Sequence, residues 1–257
     1  MPTKKLTIIT STLNSLKTLP ELENSLKRQR FQDFEWLIID GGSTDGTVEF
    51  IQKHTQGNLI CSEIDKGIYH AWNKSIPHIN GEWVLFLGSD DYFEDDNILN
   101  DFHTFSQSLH PKEYDIIYGK VKVIMHNKKI KIYGKEINNV RRELSKNMCF
   151  CHQATFHNSK LFSKIGCFDE SYFIAADYEY LLRAEDLIKI NSIFFDRCIS
   201  IMGVDGISSN KYNGMKSAIE SLKARYKNKF NPISLPWLRH FIGGLFYLFL
   251  SKFRKNK

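Results

Sequence analysis

The sequence lacks the features that identify several common classes of protein. Its five cysteines are an odd number at irregular spacing, which argues against the disulfide framework of a small secreted domain and indicates reduced thiols. The first ten residues, MPTKKLTIIT, contain neither a long apolar stretch nor a small-residue cleavage site, so we expect a short polar lead before a first strand. The sequence shows no internal repeat and no low-complexity segment. It therefore does not indicate a disulfide-rich, repetitive or disordered protein.

The composition indicates a packed globular body with a basic C-terminal region. Hydrophobic residues make up 42% of the 257 residues and aromatic residues 13%, which is enough for a sizeable core. The net charge of +6 is uneven, because residues 211–257 hold eleven Lys or Arg and one acid, Glu220, or about +10. Residues 1–210 are then near −4. We predict a catalytic-type domain over 1–210 and a helical region over 211–257.

Apolar runs alternate with helical patterns along the first hundred residues. Strands are predicted at 5–10, 34–40, 59–65 and 82–88, and helices at 18–30, 48–55 and 68–79. This alternation predicts an α/β fold with a mostly parallel sheet flanked by helices. Ligands of such sheets bind at the carboxyl ends of the strands. Polar clusters occur at three of those ends: STLN (11–14), DGGSTDGT (40–47) and GSDD (88–91).

Each polar cluster has a structural and a functional interpretation. The glycines and hydroxyl side chains of 40–47 suit a strand-to-helix turn with a helix cap. This loop follows neither the G-x-G-x-x-G nor the G-x-x-x-x-G-K-[ST] order, so it predicts neither a dinucleotide fingerprint nor a P-loop. Asp90 and Asp91 suit either a capping turn or a divalent cation whose shell is completed by a diphosphate. Mg²⁺ or Mn²⁺ is the cation such a site prefers.

Four ordered motifs resemble those of one enzyme family. TIITSTLN, WLIIDGGSTDGT, DKGIYHAWNKSI and GEWVLFLGSDDYF together resemble family 2 glycosyltransferases with the GT-A fold. The GGSTDGT and GIYHAWNK versions are similar to the branch that builds bacterial exopolysaccharides and O-antigens, including colanic-acid-type enzymes. The resemblance spans about residues 5–210. It implies inverting transfer of a sugar from a nucleotide-sugar donor to an acceptor hydroxyl.

The resemblance also implies which residues bind the donor nucleotide and its metal ion. The nucleotide-binding positions are Ser11, Leu13, Asn14, Asp40, Asp65, Lys66 and Ser89, with Asp40 matching the acid that contacts the base. The metal motif of the family usually reads D-A-D-D, whereas this chain has Gly88-Ser89-Asp90-Asp91. Asp90 aligns with the metal-binding second acid and Asp91 is its neighbour. The expected cofactor is Mn²⁺ or Mg²⁺, without the contribution of the first acid.

A candidate catalytic base occurs in the second half of the sequence. The segment GCFDESYFIAADYEYLLRAED resembles the acceptor-side element of the family, in which an acid opens a D-Y-x-L-x-x-R helix. Asp177 holds that position. The reaction needs a carboxylate that takes the proton of the attacking hydroxyl. An Asp at a helix start also serves as an N-cap, so both interpretations stay open. Glu179 is the poorer candidate, because helical geometry turns it away from the face of Asp177.

Two further segments carry weaker predictions. CFCHQATF (149–156) contains Cys-x-Cys-His, but no second ligand pair is present, which disfavours a zinc site. The resemblance implies that His152 and Gln153, with Asp177, contact the donor or acceptor sugar; the alternative is a hydrogen-bonded core pair. In MGVDGISSN (202–210), Asp205 and Ser208 are candidate phosphate or metal contacts, and an ordinary turn is the alternative.

The C-terminal apolar run is too short to span a membrane. Residues 241–250 are apolar and are followed by several basic residues, whereas a spanning helix needs about 20 apolar residues. Aromatic and basic residues together suit the surface of an anionic leaflet. We expect a peripheral protein on the cytoplasmic, inner face of the bacterial plasma membrane. A helix packed on the body or on a partner subunit is the alternative.

Other classes of function remain open at this point. The partners implied are a nucleotide-sugar donor, favouring a UDP-linked one, and a glycan or undecaprenyl-linked acceptor. A nucleotidyltransferase would need a Gly-rich or basic N-terminal loop, which TIITSTLN does not provide. A non-catalytic carbohydrate- or nucleic-acid-binding module would use the basic tail. The high apolar content of residues 241–250 argues against a nucleic-acid partner. The oligomeric state stays open.

Overall fold

The computed structural model describes residues 4–109, 113–125, 127–202 and 213–254. The strands are β1 (Lys4–Thr12), β2 (Phe34–Asp40), β3 (Asn58–Ser62), β4 (Gly81–Phe86), β5 (Tyr92–Phe93), β6 (Ile116–Ile124), β7 (Ile130–Tyr133), β8 (Thr155–Asn158) and β9 (Ser192–Met202). The helices are α1 (Leu19–Lys27), α2 (Thr47–His54), α3 (Ile68–Ser75), α4 (Ile98–Ser108), α5 (Val140–Leu144), α6 (Lys160–Ile165), α7 (Ala176–Ile188), α8 (Gly214–Lys227) and α9 (Leu235–Arg254). Two short 3-10 helices cover Ile76–His78 and His152–Ala154.

One sheet joins the strands in the order β3-β2-β1-β4-β8-β6-β9-β5, with β7 paired to β6. The first four strands are parallel. From β8 onward the directions mix, because β8 runs antiparallel to both β4 and β6, whereas β6 and β9 are parallel. The predicted α/β class is confirmed. The sheet is parallel throughout only in the half that the four predicted strands form.

The parallel half is buried on both faces, which explains its continuous apolar runs. Alternate residues of a strand point to opposite faces, so Ile9, Leu37 and Ile39 pack on one side, and Ile8 and Ile38 pack on the other. Side chains of α3, α6 and α7 cover the first face, and those of α1, α2 and α4 cover the second. Because β1, β2 and β4 run parallel, their carboxyl ends lie at the same edge of the sheet.

The C-terminal region is partly integrated into the body. Arg225 of α8 is fully buried, and its guanidinium donates to Tyr178 Oη (2.8 Å), to Ser234 Oγ (3.0 Å) and to the carbonyl of Lys146. The following helix, α9, lies against α8 through Trp237, whose indole donates to the carbonyl of Ala218 at 2.7 Å. The predicted C-terminal helices are present, and α8 belongs structurally to the body. Within the described ranges, no helix has the length and apolarity needed to cross a bilayer.

Candidate active site

The loops after β1, β2 and β4 are tied together at the carboxyl edge of the sheet. Ser15 Oγ lies 2.8 Å from Ser89 Oγ, which links the β1 loop to the β4 loop. Asn14 adopts a left-handed backbone (φ 51°); its amide donates to Ser43 Oγ (2.7 Å) and its side-chain oxygen accepts from Thr44 N (2.9 Å). The predicted residues Asn14 and Ser89 therefore lie within one connected set of loops.

Asp40, predicted to contact the nucleoside base, lies beneath its loop with its carboxylate directed into the protein. Its side chain is fully buried, and its carboxylate accepts hydrogen bonds from Thr12 Oγ1 and Ser62 Oγ, both at 2.8 Å, and from the backbone amides of Gly42 and Ser43. A fifth bond comes from Ser43 Oγ. Burial alone would raise the pKa of Asp40, but these bonds outweigh it and hold that pKa below its usual value. Asp40 organises the loop through these bonds, and its contact to a base stays a prediction.

Residues of the loops that follow β1, β2 and β3 lie close together around Gly41. A Cβ placed on Gly41 would be 3.4 Å from Asp65 Oδ2 and 3.6 Å from Leu13 Cδ1, so these three residues are neighbours. Leu13 is 62% exposed and Ile64 is 87% exposed. Lys74 Nζ and His70 Nδ1 hold the other oxygen of Asp65 at 2.5 and 3.0 Å. Exposed apolar side chains can pack on a planar ring, and the acid between them can accept a hydrogen bond from a polar group on the edge of that ring.

Two other predicted nucleotide residues lie at this edge with fewer contacts. Lys66 is exposed, and its backbone amide approaches His70 Nδ1 at 3.5 Å. Ser11 is half-buried near the end of β1, where it pairs with Ile39 of β2. These contacts do not define a binding surface at either residue, so the role of Lys66 and Ser11 in nucleotide binding stays a prediction.

The two adjacent acids converge on Gly88. Asp91 is buried, and its Oδ2 accepts from the Gly88 amide at 2.8 Å, which closes a tight turn. Asp90 is half-buried. A Cβ on Gly88 would lie 2.9 Å from Asp90 Oδ1 and 2.9 Å from Asp91 Oδ2, closer than real Cβ atoms approach other atoms. The absence of a side chain at residue 88 therefore leaves room between the two carboxylates.

This pair fits a divalent cation that protein and substrate hold together. Among the described residues, no three His, Cys, Asp or Glu side chains are grouped so as to hold a metal by themselves. Mg²⁺ and Mn²⁺ sites commonly use one or two carboxylates and take the remaining oxygens from phosphates and water. Asp90 and Asp91 supply that number of hard oxygen donors at one point of the edge. The donor set is adequate once a diphosphate is present.

Asp177 reaches the same edge from the second half of the chain. It is the second residue of α7, and its Oδ1 accepts from the Tyr178 amide at 2.8 Å and from Tyr69 Oη at 3.2 Å. Burial raises the pKa of Asp177 to about 6, although both hydrogen bonds lower it. A carboxyl that titrates near neutral pH is well matched to general-base work. Its helical neighbour Glu179 is buried and paired with Arg183 and Lys227, both at 3.0 Å.

Tyr69 is the contact that the sequence analysis missed. It lies in the first turn of α3, just after the β3 loop, and its single hydroxyl proton is shared between the carbonyl of Ile174 and Asp177 Oδ1. Burial raises the pKa of Tyr69 well above its usual value, as does the charge of Asp177, so the hydroxyl keeps its proton. The only sequence signal was its place in GIYHAWNK, a motif of the resembling family.

His152, predicted to contact the sugar, packs among aromatic residues of the core, and the sugar contact stays a prediction. It is 7% exposed, and its ring stacks on Trp72 (4.7 Å between centroids) and Phe86 (5.2 Å). Neither ring nitrogen has a hydrogen-bond partner among the described residues, so it is not a hydrogen-bonded pair. Burial lowers the pKa of His152 well below its usual value. Gln153 is half-buried, and its carbonyl accepts from Ser200 Oγ at 2.8 Å.

The cysteine predictions and one loop prediction can also be placed. All five cysteines lie in described ranges and none is paired. Burial raises the pKa of Cys149 to about 12 and that of Cys151 to about 11, so both are protonated thiols. The candidate contacts Asp205 and Ser208 lie outside the described residues.

A parallel sheet edge with linked loops, a carboxylate pair and an acid of raised pKa is the arrangement of a GT-A glycosyltransferase. The chain belongs to glycosyl transferase family 2, whose pattern matches residues 7–162. A PGL/p-HBAD biosynthesis glycosyltransferase of Mycobacterium bovis is 33% identical over 180 residues, which is 68% of each chain. The enzyme class and the fold predicted from the sequence are therefore confirmed.

Solved structures support the same fold. The poly(ribitol-phosphate) β-N-acetylglucosaminyltransferase TarS of Staphylococcus aureus is 34% identical over 124 residues, 46% of this chain and 21% of TarS. TarS residues 1–349 with UDP-GlcNAc align at a TM-score of 0.69 and 22% identity, covering 95% of this chain and 73% of that one. A longer TarS chain is covered to 43%. A Pyrobaculum calidifontis mannosyltransferase with GDP-Man and Mn²⁺ aligns at 0.65 and 15% identity, covering 96% and 71%.

Proposed function

We propose that this chain transfers a sugar from a UDP-linked donor to a hydroxyl of a glycan or lipid-linked acceptor, with inversion, in bacterial surface polysaccharide synthesis. The observation that carries the proposal is the 3.2 Å contact between Tyr69 Oη and Asp177 Oδ1. It joins the acid of the second half of the chain to the loop edge built by the first half. In this proposal the acid and the donor loops act on the same bound substrates.

Asp177 acts as the general base in this proposal. The acceptor hydroxyl gives its proton to Asp177 as its oxygen forms a bond to the anomeric carbon. The bond between that carbon and the diphosphate oxygen breaks, and its electron pair leaves with the nucleoside diphosphate. With a pKa of about 6, Asp177 is about nine-tenths ionised at pH 7 and ready to accept a proton. Attack opposite the departing diphosphate inverts the anomeric centre.

Asp90 and Asp91 would hold Mn²⁺ or Mg²⁺ between them and the donor diphosphate. When bound, the cation neutralises charge that develops on the departing diphosphate. Ser89 lies in the same turn and is fixed by Ser15, so its position relative to the two acids is set before the donor arrives. The similarity to a Mn²⁺-containing mannosyltransferase supports the proposal.

Asp65 replaces Asp40 as the proposed contact to the nucleoside base. Its Oδ2 lies beside Gly41, whereas its other oxygen is held by Lys74 and His70. Leu13 and Ile64 are exposed on either side of the glycines, where a flat ring can pack. UDP is proposed on the similarity to TarS, which is 34% identical over 124 residues and whose solved structure holds UDP-GlcNAc.

Replacement of Asp177 tests the proposal directly. We expect Asp177→Asn to abolish transfer while leaving donor binding within about twofold, because the amide keeps the size of the carboxylate but takes no proton. Asp196→Asn removes the same charge at a 71% exposed side chain and is the matched control. Calorimetric titration of UDP, dTDP and GDP with Mn²⁺ or EDTA reports donor binding separately. Transfer that survives in Asp177→Asn would exclude Asp177 as the base.

The proposed lipid-linked acceptor requires the enzyme to lie at a membrane surface. Leu238, Ile242 and Leu245 are 40–54% exposed at helical spacing on α9, on a helix that also carries Arg239. Such a face suits the interface of an anionic inner leaflet on the cytoplasmic side. We expect cosedimentation with vesicles containing phosphatidylglycerol that Leu238→Ser with Ile242→Ser weakens. Binding that persists in this double variant would place the contact elsewhere.

A further inference from the structure

One face of α8 runs along the segment that leads into α7. Four residues spaced three or four positions apart contact segment 169–175, and we call them the α8 stripe: Lys216, Glu220, Lys223 and Lys227. The lysines contact side chains of the segment. Lys216 Nζ lies 3.6 Å from the ring centroid of Phe173, Lys223 Nζ donates to Ser171 (3.0 Å), and Lys227 Nζ donates to Asp169 (2.8 Å).

Glu220 differs from the lysines because it binds backbone. Its carboxylate accepts from three consecutive amides: Phe173 N at 3.0 and 3.1 Å, Ile174 N at 2.8 Å and Ala175 N at 3.1 Å. These amides directly precede α7, whose N-cap position is Ala175 and has no side-chain acceptor of its own. Amides at a helix start need an acceptor from elsewhere. Glu220 supplies it from another helix, with a negative charge that suits the helix dipole.

The contact continues from Glu220 to Asp177 through one peptide group. The amide of Ile174 donates to Glu220, and the carbonyl of the same residue accepts from Tyr69 Oη. Tyr69 Oη also donates to Asp177, which lies three residues after Ile174 in the chain. The start of α7 is therefore held from the C-terminal side by Glu220 and from the donor-loop side by Tyr69.

We propose that Glu220 is a positioning residue for the transfer reaction, which holds the start of α7 so that Asp177 faces the acceptor hydroxyl. The inference rests on the proposed role of Asp177 as the base. Glu220 also acts by charge, since its carboxylate adds to the causes that raise the pKa of Asp177. Because α8 lies beyond residues 7–162, the functional unit extends past the part of the chain that matches the family.

Two substitutions separate the geometric and the charge contributions. Glu220→Gln removes the charge and turns an amide N–H toward backbone donors, whereas Glu220→Asp keeps the charge but is too short to reach three amides. Glu113→Gln, at an 82% exposed side chain, is the matched control. The measurements are kcat and donor KM from pH 5 to 9, and hydrogen exchange of the amides of residues 173–175 in the full chain.

We expect both variants to lower kcat at pH 8 by about tenfold with donor KM within about twofold, which corresponds to about 1.4 kcal/mol in the transition state. Exchange of the three amides should accelerate in both. The acidic limb of the kcat profile should move to lower pH in Glu220→Gln, because the pKa of Asp177 falls when a nearby negative charge is removed, and should move less in Glu220→Asp.

The proposal is overturned if exchange accelerates while kcat and its pH profile stay at wild-type values in both variants. It is also overturned if kcat and donor KM change together, since that pattern indicates a general loss of structure. Failure of the base assignment is recognised separately, because Asp177→Asn would then retain transfer whatever Glu220 does. Amide exchange needs no turnover, so it tests the Glu220 contact in either case.

Discussion

Removing the Tyr69 hydroxyl should change the pH dependence of transfer more than its maximal rate. In Tyr69→Phe, Asp177 loses the hydrogen bond that Oη donates to its Oδ1 at 3.2 Å. That bond favours the charged carboxylate and so lowers the pKa of Asp177. Its loss should therefore move the acidic limb of the kcat profile upward, opposite to the shift expected for Glu220→Gln.

The size of this shift follows from the geometry of the bond. Hydrogen bonds to charged groups contribute about 1.5–3 kcal/mol, and 3.2 Å is long for an O–H donor, so we take about 1.4 kcal/mol, or one pKa unit. The limb then moves from about 6 to about 7. At pH 6 the ionised fraction of Asp177 falls from about one half to about one tenth, a roughly fivefold loss of rate. At pH 8 the loss is only about 10%.

The assay is release of nucleoside diphosphate at saturating donor and acceptor from pH 5 to 9. Tyr133→Phe removes a hydroxyl from a 47% exposed side chain and is the matched control. Unfolding should be followed in parallel, because the Ile174 carbonyl also loses a donor, at a cost of about 1–3 kcal/mol. A rate that falls by the same factor at every pH, or a limb that moves downward, would refute the reasoning.

Two further predictions concern the edge of the sheet and the core. Gly88→Ala should weaken Mn²⁺-dependent UDP binding by about tenfold in calorimetry without affecting binding in EDTA. The reason is that the added Cβ would displace the carboxylates of Asp90 and Asp91. An equal loss of binding with Mn²⁺ and with EDTA would contradict this. Burial lowers the pKa of His157 to about 3, so the unfolded chain takes up a proton below about pH 6.5 that the folded chain does not. The free energy of unfolding should therefore fall by about 1 kcal/mol for this residue between pH 6 and 5. Denaturant titrations at both pH values should show a smaller fall in His157→Phe than in the wild type, and an unchanged fall in the exposed control His78→Gln.

The first four strands were predicted closely because each is an apolar run ended by polar residues or glycine. The predicted range 34–40 coincides with β2, and 82–88 overlaps β4 (Gly81–Phe86). The helix predicted at 68–79 ends earlier, at Ser75, and continues as a 3-10 turn that contains Pro77. Local sequence determines these features, so local patterns predict them.

Strand pairing in the second half was not predicted, because its partners are far apart in sequence. β6 pairs with β9 in parallel and with β8 in the opposite direction, through contacts such as Ile116 with Ser192 and with His157. The alternation of apolar residues in a strand shows which face is buried but carries no information about its neighbours. The mixed sheet follows from those long-range contacts.

Motif order predicts which polar residues follow the strands but not the directions of their side chains. Motif order placed Asp40 at a strand end, where the sequence does not show whether its carboxylate points to solvent or inward. The hydroxyls of Thr12, Ser43 and Ser62 determine the answer, and only the fold brings them together. The packing of His152 could not be predicted for a similar reason, since its aromatic neighbours Trp72 and Phe86 come from other elements.

The α8 stripe has a consequence for exchanging acceptor specificity between relatives. A chimera that replaced only the segment around Asp177 would join a foreign segment to an α8 whose Glu220 and lysines match the original one. Residues 169–227 form the smallest block that keeps both sides of this contact. Swapping that block as a unit, with the donor loops left in place, is the recombination design the molecule favours.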